Sequence, residues 1–131
     1  MLYSGRRSLF NRSEAALFIA LADRMPFGYH VFPKVRLVDF LQPTTGSRVL
    51  LWRIWAKHVD FLLCDSSFKP VLAIELNGGS HRAYERIARD AFVARTYHEA
   101  GLPFLTVIVG EDFSRVATEV TEWIHTGRYP V

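Results

Sequence analysis

The sequence predicts an α/β protein, a small mixed β-sheet flanked by helices, and three observations carry that prediction. Short β-branched and apolar runs alternate with segments of helical periodicity. Two of the apolar runs, "HVDFLLCD" (58–65) and "PVLAIELN" (70–77), are separated only by "SSFK", the spacing of a hairpin. A long Ala- and Arg-rich stretch (81–100) then leads to a further buried strand, "PFLTVIV" (103–109), and a last helix.

The elements follow in order. Asn11 or Ser13 can cap a helix that starts near residue 13, with Glu14 in its first turn, where a negative charge suits the dipole. Leu17, Phe18 and Leu21 repeat at helical spacing, and Pro26-Phe27-Gly28 stops the element. "YHVFPKVRL" (29–37) is β-branched and aromatic, and Pro33 makes it an edge or bulged strand. "QPTTGS" (42–47) is a loop. "RVLLWRIWAK" (48–57) reads as a short helix, because Leu50, Ile54 and Lys57 share helical spacing and strict alternation is lacking. Gly101 and Pro103 end the long helix. The final helix covers about 112–125, with Ser114 as one possible cap, and "TGRYPV" is expected to fray. The order is α-β-α-β-β-α-β-α in one domain across 1–131, its core over about 11–125 and its ends loosely ordered.

Bulk composition narrows the function classes. Half of the 131 residues are hydrophobic and 14% aromatic, which excludes a disordered chain. Sixteen Lys and Arg against 13 Asp and Glu give a net charge of +3, which permits a nucleic-acid partner without demanding one. Cys64 stands alone, so there is no internal disulfide and no cysteine-based zinc site. It is expected to be a small core residue in a cytoplasmic protein. Arg6, Arg7 and Arg12 ahead of "AALFIALA" have the outline of a signal peptide, but the run is short, Glu14 adjoins it, and its periodicity is helical. No stretch has the length of a membrane helix.

The hairpin brings polar groups together. With its loop centred on Ser67 and Phe68, paired positions sum to 135, so Asp60 opposes Glu75 and His58 opposes Asn77 on one face. Two opposed carboxylates repel, by up to about 1 kcal/mol. Arginines could compensate, as structural ion pairs. So could a divalent cation such as Mg²⁺ or Mn²⁺, with the Leu76 carbonyl as a further ligand.

Five segments in order, "NRSEAALF", "VFPKVRL", "KHVDFLLCD", "AIELNGGSH" and "RDAFVARTYHEAGLPFL", resemble a bacterial family of uncharacterised domains in the PD-(D/E)xK, or restriction-endonuclease-like, nuclease superfamily. Very-short-patch repair endonucleases are similar in their "DF…E(L/V)DG…H" run. The resemblance implies a restriction-endonuclease-like core and a Mg²⁺- or Mn²⁺-dependent endonuclease acting on DNA, with RNA and the oligomeric state left open. It places Asp60 at the motif's first Asp and Glu75 at its (D/E). Glu14 matches the acidic residue that supports the metal or its waters, and His81 the histidine after the glycine loop. Asn77 stands where the motif has lysine, and it cannot act as a general base. His81, His58, a metal-bound hydroxide or a lysine from elsewhere would have to serve. Lys57 is nearest in sequence, and alternation turns it away.

Around the motif, Gly78, Gly79 and Ser80 either let a phosphate approach the main chain or simply make a tight strand-to-helix turn. Arg82, Arg86 and Arg89 form one helical stripe that could neutralise phosphates or face solvent beside Glu85 and Asp90. Trp52, Trp55 and Tyr84 are expected in or near the core. A domain that binds nucleic acid or a protein partner without cleavage is the alternative reading, and Asn77 supports it.

Overall fold

The computed structural model describes residues 1–78 and 83–129, with positions 83–90 described by their main chain only. The elements are α1 (Arg12–Arg24), β1 (His30–Arg36), a 3₁₀ turn (Leu37–Asp39), α2 (Arg48–Trp55), β2 (His58–Cys64), β3 (Pro70–Asn77), α3 (Ala83–Glu99), β4 (Phe104–Ile108) and α4 (Phe113–Thr126). This is the expected order, with the 3₁₀ turn added. The four strands lie side by side as β1-β2-β3-β4. β1/β2 and β2/β3 are antiparallel and β3/β4 is parallel, so the sheet is mixed.

Local chemistry explains the boundaries. Asn11 and Glu14 form a capping box at α1: each side chain accepts the other's main-chain N–H at 2.8 Å. Asp112, not Ser114, caps α4, because its carboxylate accepts the N–H groups of both Ser114 and Arg115. Gly127 ends that helix at φ +69°, in the left-handed conformation that glycine tolerates. The tail beyond it does not simply fray, since Tyr129 packs against the core. Pro33 sits in β1, an edge strand, where a missing N–H costs no ladder bond.

The sheet divides the core into two layers. On one face, Leu17 and Leu21 of α1 and Val116 and Val120 of α4 meet Phe61, Leu63, Leu72 and Ile74. On the other, Leu37, Ile54 of α2 and Tyr97 of α3 meet Leu62, Cys64 and Ala73. Cys64 is buried there, as expected of a small core residue. Tyr97 packs between the rings of Phe40 and Phe104. No helix among the described residues is long and apolar enough to cross a membrane.

Candidate functional site

The hairpin register agrees with the sequence arithmetic: Phe61↔Ile74, Leu62↔Ala73 and Leu63↔Leu72 all sum to 135. Nearer the turn it shifts by one, to Cys64↔Pro70. The reason is a three-residue loop closed by Asp65 and Lys69, with Phe68 at φ +64°. At the other end, regular pairing stops at Phe61↔Ile74, so the expected Asp60–Glu75 and His58–Asn77 pairs are not part of the ladder, and Asp60 takes over. Its Oδ2 accepts the Leu76 N–H at 2.7 Å, where a strand carbonyl would otherwise accept. A strand residue directs its N–H and C=O to the same side, so the Leu76 carbonyl also faces Asp60.

β3 continues past this point on its other edge. Glu75, Leu76 and Asn77 pair with Thr106, Val107 and Ile108 of β4, and the Asn77 carbonyl accepts the Val109 N–H. Asp60, Glu75 and Asn77 are half-buried, whereas His58 is exposed and pairs with Arg36 across β1.

Beneath the carboxylates lies Tyr97, a residue to which sequence reasoning assigned no role. It is 1% exposed and its hydroxyl has no hydrogen-bond partner. Burial pushes its pKa upward, and the negative charges of Glu75 and then Asp60 push it further. Both carboxylates therefore act on one buried hydroxyl. The only prior signal was its spacing on α3, four residues after Val93, which marks a core face.

Lys34 is a second residue that the sequence did not single out. Pro33↔Phe61 and Val35↔Val59 bracket it against Asp60 in the β1/β2 register. Its main chain is at φ +52°, uncommon for a residue with a Cβ. That left-handed kink breaks the strand's alternation: Val31 packs on one layer of the core and Val35 on the other. The Lys34 ammonium lies 3.4 Å from Glu14 Oε2. Glu14 thus divides its oxygens between the α1 cap and Lys34. Lys57 is engaged elsewhere, donating to the Arg53 carbonyl at 2.9 Å and lying over the Phe92 ring.

Among the described residues, no three His, Cys, Asp or Glu side chains converge to hold a metal. A cation held by Asp60 and Glu75 would draw its other ligands from main-chain carbonyls and water. Gly78 is exposed at the end of β3. Gly79, Ser80, His81 and Arg82 lie outside the described residues, as do the side chains of Tyr84, Arg86 and Arg89 on α3. Trp52 and Trp55 depart from expectation: they are 75% and 55% exposed. α2 has eight residues and buries only Ile54, so its indoles face outward.

Comparison with known proteins places these residues in a family. The family described as "Protein of unknown function (DUF2726)" matches residues 6–124. An uncharacterised protein of Haemophilus influenzae is 32% identical over 103 residues, covering 76% of this chain and 53% of the relative. The chain thus spans about half the length of that relative. The uncharacterised protein y4bI of Sinorhizobium fredii is 29% identical over 122 residues, covering 87% of this chain and 86% of the relative. No solved structure matches.

Proposed function

The chain belongs to the DUF2726 family, and from that premise we propose that it is a metal-dependent nuclease of the PD-(D/E)xK type that cleaves DNA phosphodiester bonds. One observation carries the reading. Asp60 leaves the ladder to bond the Leu76 N–H, which brings a half-buried carboxylate and the Leu76 carbonyl to the same edge of β3, next to Glu75. Two carboxylates and a carbonyl form an all-oxygen donor set, the kind that Mg²⁺ and Mn²⁺ take. Such an ion supplies Lewis-acid stabilisation and an activated water.

The remaining roles belong to the protein's own groups. The Leu76 N–H fixes the orientation of the Asp60 carboxylate. The Tyr97 hydroxyl, which has no acceptor in the structure, is a donor available to a water beside the carboxylates. Lys34, opposite Asp60, is the cation best placed in the sheet to offset phosphate charge in place of the motif lysine, and Glu14 holds its ammonium. Asn77 orients through hydrogen bonds and takes no proton. By the resemblance, His81 is one candidate base; Gly78, Gly79 and Ser80, by their small size, and Arg82, Arg86 and Arg89, by their charge and spacing, are the candidate phosphate contacts.

The test is incubation with Mg²⁺ or Mn²⁺ and single-stranded, duplex or mismatched DNA, comparing wild type with Asp60→Ala and Glu75→Ala. Cleavage by wild type alone supports the proposal. Equal behaviour of all three proteins rejects it. The second reading, a nuclease-like domain that binds without cutting, draws on Asn77 in the lysine position. It predicts Mn²⁺ binding by calorimetry that Asp60→Ala abolishes, with every DNA form left intact.

A further inference from the structure

α2 shows solvent a surface that its packing does not require. Arg48, Trp52 and Trp55 fall at i, i+4 and i+7, one stripe of the helix, and all three are exposed. Val49, 69% exposed, adjoins them. Between Asp39 and Asp60 the chain has no acidic residue but carries Arg48, Arg53 and Lys57. The Arg53 guanidinium is held 4.3 Å over the Phe92 ring, and Lys57 is tied to the Arg53 carbonyl. Arg48 therefore shares the stripe with the two indoles, while Arg53 and Lys57 lie round the helix on the side facing Phe92, so α2 as a whole is cationic with its indoles turned outward.

Unpaired nucleic acid is recognised by that combination: aromatic faces for the bases and positive charge for the backbone. A duplex keeps its bases stacked inside and offers an indole none of them. A second copy of this chain, meeting the same face, would set Arg48 against its own counterpart and bring two cationic helices together, and like charges oppose such a contact. Position also matters. α2 runs through Ala56 and Lys57 into His58, the first residue of β2. Asp60 follows Trp55 by five residues, a reach of at most roughly 18 Å. Stacked bases rise about 3.4 Å each, so some five nucleotides would span it.

We infer that α2 is a stacking platform for an unpaired DNA strand, with Trp52 and Trp55 holding bases beside the carboxylate pair. The inference rests on the reading of DNA as the ligand, but not on cleavage. It is tested without divalent cation, in EDTA, by titrating a short oligothymidylate and a duplex of equal length. Tryptophan emission and the anisotropy of a labelled strand are followed together. The single strand quenches emission and binds more tightly than the duplex. Trp52→Ala and Trp55→Ala each weaken single-strand binding about tenfold, while Trp52→Phe, which keeps an aromatic face, retains most of it. Circular dichroism checks that the fold persists.

Single-strand binding by Trp52→Ala/Trp55→Ala equal to wild type overturns the inference, whatever the cleavage assay gives. Loss of self-association in that variant, with oligonucleotide binding unchanged, assigns the face to a second copy and overturns it too. Strand binding lost in the variant while wild type cuts no DNA leaves the platform standing and removes the nuclease reading.

Discussion

The β2–β3 hairpin has an aspartate at each end, and the two do different work. At the turn, Asp65 Oδ1 accepts the N–H groups of Ser67 and Lys69, both within four residues. It closes a loop and nothing more, as an Asx-type turn does. At the open end, Asp60 accepts one N–H from 16 residues away and keeps the rest of its acceptor capacity. Its neighbours are Glu75 and a buried hydroxyl. The backbone repeats the contrast. Phe68 adopts a positive φ because a three-residue hairpin loop requires one. Lys34 adopts one inside a strand, where no turn calls for it. Strain that local geometry does not explain, opposite a carboxylate that leaves its ladder, sets this end apart from the turn and is why the proposal is placed there.

Substitutions at the two ends should separate sharply. The largest effect is on cleavage: Asp60→Asn and Glu75→Gln lower the rate by about 10²- to 10³-fold or more, while Asp65→Asn leaves it unchanged. A steady-state assay with Mn²⁺ reads this. Equal loss at Asp60 and Asp65 would erase the distinction. Next comes stability. Asp60→Ala strands the Leu76 N–H and costs about 1.5–3 kcal/mol, whereas Asp60→Asn keeps an acceptor and recovers most of it. Urea unfolding of the pair measures the difference.

Tyr97 sharpens the same comparison. Its folded pKa lies above the ordinary tyrosine value, so below pH of about 10, where the hydroxyl is neutral in both states, stability does not depend on its titration. Above that the unfolded chain gives up the proton first, and stability falls as pH climbs towards the folded pKa, by at most about 1.4 kcal/mol per pH unit. Tyr97→Phe flattens that slope in unfolding curves taken from pH 9 upward. At neutral pH the substitution is neutral or stabilising by about 1 kcal/mol, because it removes a buried hydroxyl without a partner. A clear loss of stability would mean that the hydroxyl is satisfied in solution. The smallest effect is at Lys34. Glycine there relieves the left-handed backbone and alanine does not, so Lys34→Gly is more stable than Lys34→Ala by about 1 kcal/mol in urea unfolding.

What could be read in advance was what short spacings determine. The hairpin register follows from loop length and alternation, and the α1 cap, Asn11, is one of the two residues that could serve. The outward turn of Trp52 and Trp55 could not be read, because hydropathy marks an indole as apolar without saying which face of an eight-residue helix meets the sheet. Lys34 hid for a related reason: positive φ is signalled by Gly or Asn, and lysine gives no such sign. The role of Tyr97 depends on α3 crossing under two strands, which is tertiary information.

The bond between Asp60 and Leu76 also makes the site observable one proton at a time. A hairpin that zips from its turn reaches this bond last, so it is the first to open when the strand ends part. The Leu76 amide then exchanges its hydrogen for deuterium at a rate set by how firmly Asp60 is held. Any ligand drawn to that carboxylate without displacing the bond slows the exchange, and one that pulls the carboxylate away speeds it. A single amide resonance therefore reports whether the Asp60 carboxylate is engaged.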